Sequence, residues 1–166
     1  YTYTEVYGSS PSNPTINNAI NQGVMCYNFR GWINMNGWPN TMSSLYNSYK
    51  LFHAVFITCS TGSFGGSTST TEQVIRFGTA ASLGGAITAI GMATSSTHTP
   101  MNNCLDVGIF HGIYNLGMRE MSSALLYAKL YLHSVYGVSH PTQAQDFAAY
   151  CNLMGDPTAM VYVGTP

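Results

Sequence analysis

The stretch that most constrains the fold covers residues 52–66, FHAVFITCSTGSFGG, where an apolar run gives way abruptly to small polar residues. The run at 54–57 is long enough for a buried β-strand and too short for a helix. It ends at Thr58 and Cys59, so this strand delivers a cysteine onto a Gly-rich turn. Ligands and reacting groups collect at the carboxyl edge of open α/β sheets, although free cysteines are also common as inert core residues. The pattern therefore makes Cys59 a candidate reactive group, with a packing role as the alternative.

Short apolar runs alternate with helical patterns along the rest of the chain. The longest helical pattern, 121–135, repeats Leu and Ala at helical spacing. The other predicted helices cover 16–21, 70–77 and 142–150, and the predicted strands cover 1–7, 24–29, 54–57, 84–93 and 159–163. We expect a short helix or an ordered loop at 41–49 and a turn at 152–157. The alternation predicts an α/β fold with a mainly parallel sheet covered by helices. We expect 1–166 to form one domain, processed or partial, with its early strands supplied elsewhere.

The composition indicates a secreted or cell-surface protein. Charged residues make up only 7% of the chain, against about 25% in ordinary soluble domains. The net charge is −1 and the five Lys and Arg are scattered, so nucleic acid is not an expected partner. No apolar run approaches the roughly 20 residues of a membrane span. A surface with so few charges also suits self-association, and we expect either a homo-oligomer or a preceding fragment of the same precursor as partner.

The four cysteines indicate neither a zinc site nor a fixed disulfide framework. They lie far apart, at positions 26, 59, 104 and 151, and form no CxxC pair. A structural zinc site is therefore not expected. One disulfide is compatible with an oxidising compartment, and the sequence does not select the pair.

Four short motifs, in order, resemble the gingipain-type cysteine peptidases, a family with a caspase-like fold. Residues 57–64, ITCSTGSF, resemble the turn that carries their nucleophile. The strand at 84–93 resembles the strand after that turn, and 152–157, NLMGDP, resembles their closing motif. Residues 27–31, YNFRG, resemble the strand end that leads to their catalytic histidine. The resemblance implies a caspase-like, Rossmann-like three-layer sandwich with a mainly parallel sheet.

The resemblance also implies a site and an activity. Cys59 would be the nucleophile in peptide-bond hydrolysis, and amide hydrogens around Cys59 and Gly31 would hold the oxyanion. Arg30, Trp32 and Gly62 would line the site. The substrate would be a peptide or protein, and no cofactor is expected beyond an optional structural calcium ion. The chain departs from the family at the decisive place, because Trp32 stands where the family has the histidine of Gly-His-Gly. Trp has no basic ring nitrogen and cannot take a proton from a thiol.

A reactive thiol needs another partner, and His98 is the histidine whose position fits best. It lies on the loop after the next strand, at the sheet edge that carries Cys59. We hypothesise a relocated Cys59–His98 dyad, oriented by Asp106 or by a nearby Asn, with hydrogen bonding of His98 to its own loop as the alternative. Arg30 is the other candidate partner for the thiol, unless it pairs with Glu72 or Asp156.

The remaining candidates have structural interpretations. His53 should lie at the opposite end of the sheet from Cys59, and His111 in the core. His133 and His140 are expected to be solvated or structural. For Trp32 and Trp38, packing is favoured over lining a peptide groove. Glu72 suits the start of a helix, and Asp156 suits a turn.

Two functions follow from the sequence. The first is a secreted gingipain-like cysteine peptidase that uses Cys59. The second is a non-catalytic caspase-like scaffold for binding or assembly at a cell surface. The Cys59 turn favours the first function, and Trp32 favours the second.

Overall fold

The computed structural model describes residues 2–7 and 13–163. Helices α1, α2, α3, α4 and α5 cover Asn13–Gln22, Thr70–Ile75, Thr99–Tyr114, Met121–Tyr136 and Pro141–Tyr150. Strands β1, β2, β3, β4, β5 and β6 cover Cys26–Phe29, Phe52–Phe56, Gly78–Thr79, Ser82–Leu83, Ala86–Met92 and Cys151–Gly155. A kinked 3₁₀ segment covers Met35–Ser44. No helix within the described residues is long and apolar enough to span a membrane.

A four-stranded sheet in the order β1-β2-β5-β6 forms the centre of the fold. Strands β1, β2 and β5 are parallel, and β6 runs antiparallel to β5. The prediction of a mainly parallel sheet is confirmed. Strands β3 and β4 form a separate hairpin before β5.

Helices cover both faces of this sheet, which makes three layers. On one face, Val55 and Ile57 pack with α3, α4 and α5. On the other face, Ala54 and Phe56 pack with α1, α2 and the 3₁₀ segment, including the fully buried Trp38. Alternate residues of β2 therefore enter opposite cores, and every residue of β2 is buried.

Several predicted elements differ from the observed ones. Residues 152–157 were expected to form a turn, but 152–155 belong to β6, and the turn is confined to 156–158, where the Asp156 carboxylate accepts from the Thr158 N–H at 2.9 Å. The strand expected at 159–163 is absent from this described stretch, apart from one bridge between Met160 and Glu120. Residues 2–7 form no strand, and Tyr1 lies outside the described residues.

Helix α3 begins earlier than the apolar run at 107–114 indicates. Pro100 lies in its first turn, where a missing N–H costs nothing. The helix therefore starts directly after the loop that leaves β5. Helices α4 and α5 match their predicted ranges to within about one residue at each end.

Candidate active site

Cys59 lies on a tight turn immediately after β2. Ser60, the next residue, has φ +56, a left-handed conformation that is uncommon for residues other than glycine. The Thr61 hydroxyl closes the turn by donating to the carbonyls of Phe56 at 2.6 Å and Thr58 at 2.9 Å. The cysteine therefore lies at the carboxyl edge of the sheet, as predicted, and its side chain is half-buried.

A ladder of hydrogen bonds joins this turn to the segment after β5. The Ser60 N–H donates to the Thr94 carbonyl at 2.8 Å, and the Gly62 N–H donates to the Met92 carbonyl at 3.0 Å. The Ser63 hydroxyl donates to the Ala93 carbonyl at 3.2 Å. Because the Gly62 amide is used in this ladder, it is not free to bind an oxyanion. Gly62 supports the turn instead.

The loop after β1 comes to the same edge. The Thr58 hydroxyl donates to the Gly31 carbonyl at 2.6 Å, which places Gly31 beside the residue before Cys59. Within the described ranges, the N–H groups of Cys59 and Gly31 donate to no other group. These two amides therefore have no hydrogen-bond acceptor that would compete with a developing oxyanion.

Trp32 follows Gly31 and is 79% exposed. The packing role expected for it is wrong, because most of its ring faces solvent. Trp38 does pack, and its indole N–H donates to the Asn17 side chain at 2.9 Å. The position that holds the histidine in the family therefore carries an exposed apolar ring without a basic nitrogen.

His98 reaches the neighbourhood of Cys59, but its ring does not contact the thiol. It is the exposed N-cap residue of α3, and its side chain makes no capping hydrogen bond. The residue that contacts the sulfur is Thr97, whose Oγ1 lies 2.8 Å from the Cys59 Sγ. Across residues 2–7 and 13–163, no hydrogen bond joins the His98 ring to Cys59.

The other histidines lie away from this turn. His53, at the start of β2, contacts the Thr88 hydroxyl at 2.8 Å and the Met160 carbonyl at 3.2 Å. Burial lowers its pKa, and the Met160 carbonyl partly opposes that shift. His111 was expected in the core, but it is exposed and stacks on Tyr127 with ring centroids 5.7 Å apart.

Arg30 is tied to the scaffold at the end of β1. Its guanidinium donates to the Ile57 carbonyl and, at 2.6 Å, to the Asn103 side chain. Burial lowers the pKa of Arg30, and the nearby Asp106 carboxylate opposes this effect. The alternative pairing with Glu72 or Asp156 is not observed.

Two of the carboxylates considered as partners, Glu72 and Asp106, have local roles. Glu72 forms a capping box with Ser69 at the start of α2, and the Ser69 backbone and side-chain donors lower its pKa. Asp106 accepts from the Asn28 side chain at 3.1 Å. Burial raises the pKa of Asp106, against the effect of Asn28 and Arg30. Asp106 therefore faces β1 and is not placed to orient His98.

The remaining cysteines are free thiols, as Cys59 is. Among the residues that the structure describes, no three His, Cys, Asp or Glu side chains converge on a common metal position. A structural calcium ion therefore stays a prediction without assigned ligands.

Thr97 is the contact that the sequence did not single out. The only signal was the hydroxyl-rich run TSSTHT at 94–99, directly after the strand next to Cys59. Such a run predicts a polar loop at the correct edge, but not which hydroxyl meets the sulfur.

This fold is similar to solved peptidase structures. The crystal structure of the Arg-specific cysteine proteinase gingipain R (RgpB) matches with a TM-score of 0.76 and 15% identity, over 93% of this chain and 37% of that chain. A structure described as a protease matches with a TM-score of 0.71 and 17% identity, over 87% of this chain and 37% of that chain. The complex of Porphyromonas gingivalis RgpB pro- and mature domains matches with a TM-score of 0.68 and 15% identity, over 93% of this chain and 38% of that chain. The fold is thus the caspase-like α/β fold of the gingipains.

The chain belongs to Peptidase family C25, which matches residues 1–162. The resemblance to gingipain-type cysteine peptidases is therefore confirmed. No curated protein matched this chain. The chain spans 37–38% of the length of the solved structures.

Proposed function

We propose that this chain carries the nucleophile of a C25-family cysteine peptidase, and that Cys59 attacks the carbonyl carbon of a peptide bond. The observation that carries the proposal is the half-exposed thiol at the sheet edge, beside the two unoccupied amides of Cys59 and Gly31. A thiol held next to free N–H donors can form a tetrahedral adduct whose oxyanion those donors stabilise.

In this mechanism His98 is the general base. The His98 ring is exposed and makes no capping bond, and the neighbouring residue Thr97 contacts the sulfur. The mechanism requires a rotation of the His98 side chain that brings its ring to the thiol. The ring removes the thiol proton as the sulfur–carbon bond forms, and it returns that proton to the leaving amine as the carbon–nitrogen bond breaks. Water then hydrolyses the thioester, which regenerates the thiol and releases the acid.

We further propose that other polypeptide completes the site. Matched peptidases are more than twice as long as this chain, and one of them is a complex of pro- and mature domains. A pro-domain or a preceding fragment of the same precursor is therefore a suitable partner, with a homo-oligomer as the alternative. The low charged fraction, 7%, supports a secreted or cell-surface location, which fractionation of the producing cells would test.

The test compares labelling of Cys59 by a peptidyl acyloxymethyl ketone with hydrolysis of a fluorescent casein. We expect both signals in the wild type produced together with the preceding fragment of its precursor, loss of both in Cys59→Ala, and a loss of about 10²-fold or more in His98→Ala. His53→Ala is the matched histidine control and should keep both signals, because His53 lies at the other end of β2. Activity that persists in Cys59→Ala would refute the proposal.

A second function is favoured by one observation, the 79% exposed Trp32 at the histidine position. In that case the chain is a non-catalytic scaffold that binds a partner or another copy through an exposed aromatic surface. A folded wild type without ketone labelling, together with a concentration-dependent oligomer that Trp32→Ala weakens, would support the scaffold.

A further inference from the structure

We propose that Thr97 is a positioning residue for the Cys59 thiolate, so that a hydroxyl partly replaces the missing imidazole at this sheet edge. The inference rests on the proposed function of Cys59 as a nucleophile. It concerns a residue to which the family resemblance gives no role.

The first support is the contact itself. Thr97 Oγ1 lies 2.8 Å from the Cys59 sulfur, and it is the one polar atom within the described ranges that hydrogen-bonds this thiol. Both side chains are half-buried, so they are partly shielded from competing water. A hydrogen bond to the charged form of a group favours that form, and a hydroxyl can donate to a thiolate.

The second support is the way in which the chain holds Thr97. The carbonyls of Met92 and Thr94 accept from the nucleophile turn, which fixes the start of the loop against that turn. The Ser96 N–H donates to the Thr94 hydroxyl at 3.1 Å, which forms a local turn. On the other side of Thr97, the His98 carbonyl accepts from the Asn102 N–H at 2.9 Å and begins α3. Thr97 is therefore held between two anchored points.

The chemistry separates Thr97 from a general base. A threonine hydroxyl does not accept the thiol proton at neutral pH, so the proton must go to water, buffer or His98. The effect of Thr97 is to orient the sulfur and to increase the fraction that is thiolate. Such an effect changes the pH profile of the thiol, whereas a purely structural role does not.

The test measures the rate of iodoacetamide alkylation of Cys59 against pH, by mass spectrometry of the peptide that contains Cys59. Thr97→Val removes the hydroxyl and keeps the branched shape, and Thr97→Ser keeps the hydroxyl. We expect Thr97→Val to move the midpoint of the profile upward by about one to two pH units. The reason is that a hydrogen bond to a charged group changes an ionisation constant by about ten- to a hundredfold. Thr97→Ser should stay within about half a unit of the wild type. Circular dichroism melts check that each variant is folded.

An unchanged midpoint in folded Thr97→Val would overturn the proposal. If Thr97→Val does not fold, Thr97→Ala is compared with Thr97→Ser, and equal midpoints in those two variants refute it in the same way. Alkylation does not require peptide hydrolysis. If Thr97→Val shifts the midpoint but the wild type cleaves no casein, the positioning role of Thr97 is supported and the peptidase function is rejected. If the wild type cleaves casein but Thr97→Val leaves the midpoint unshifted, the peptidase function is supported and the role of Thr97 is rejected.

Discussion

Gly62→Ala should destabilise the protein strongly, because a side chain at position 62 has no space. A Cβ there would lie 2.8 Å from the carbonyl carbon of Gly91 and 2.9 Å from its oxygen. Ordinary contacts begin at 3.4 Å, so the turn and β5 would have to separate by more than half an ångström. Both atoms belong to buried backbone, and no flexible side chain can yield. The Gly62 φ lies outside the left-handed range, so the cost is steric.

Overpacking of a buried site costs typically about 1–3 kcal/mol, and the rigid neighbours put this case near the upper end of that range. Urea denaturation gives the free energy of unfolding by linear extrapolation. Gly65→Ala is the matched control in the same loop, since nothing lies within 4 Å of a Cβ there. It should be neutral or stabilise by up to about 1 kcal/mol, because alanine reduces the entropy of the unfolded chain. A loss below about 0.5 kcal/mol for Gly62→Ala would refute the close approach of the turn to β5.

Three further predictions concern reactivity and pH. Iodoacetamide at about pH 8 should label only Cys59 in the folded protein and all four cysteines in urea, because burial raises the pKa of Cys26 and of Cys104 and raises the pKa of Cys151 to about 12; native labelling of Cys151 would contradict its burial. Burial lowers the folded pKa of His53 below its unfolded value of about 6.5, so the unfolded chain binds more protons and stability falls as the pH drops below about 6.5. His53→Gln should remove this part of the pH dependence, measured as the difference between urea titrations of variant and wild type, and identical pH profiles would refute it. Trp32→His should raise casein hydrolysis by about 10²-fold or more in a His98→Ala background, since an imidazole at the position of the family's histidine supplies a general base; an unchanged rate there would contradict a role for position 32 in the site.

The strand that carries Cys59 was predictable because its signal is local. An apolar run of strand length that is followed by Ser, Thr and Gly predicts a buried strand and then a turn. The parallel order follows from the alternation of strands with helices. The carboxyl edges of β1, β2 and β5 must then meet, and this places residues 30–31, 59 and 94–98 together without any knowledge of tertiary contacts.

The elements that the sequence missed depend on distant partners. Residues Cys151–Gly155 run into a turn-like Gly-Asp-Pro sequence at 155–157, and they become a strand because β5 offers an unpaired edge. His111 lies in a run that is apolar on every side, so the periodicity does not say which face of α3 meets the core. In the structure the His111 side chain is exposed, and its ring stacks on Tyr127 of α4.

The residues that shape the site and the residues that carry its chemistry are held by different requirements. Gly62 and Gly91 are required by the close approach of two backbones, and that requirement holds whether or not the protein cleaves peptides. The thiol of Cys59 and the hydroxyl of Thr97 are not required by packing in this way, because both side chains are half-buried and contact each other. Selection for folding alone would thus retain the glycines and leave positions 59 and 97 free to change. The contact between the sulfur and the hydroxyl is therefore the feature that the alkylation profile tests, whereas the glycine substitutions test the fold of the turn.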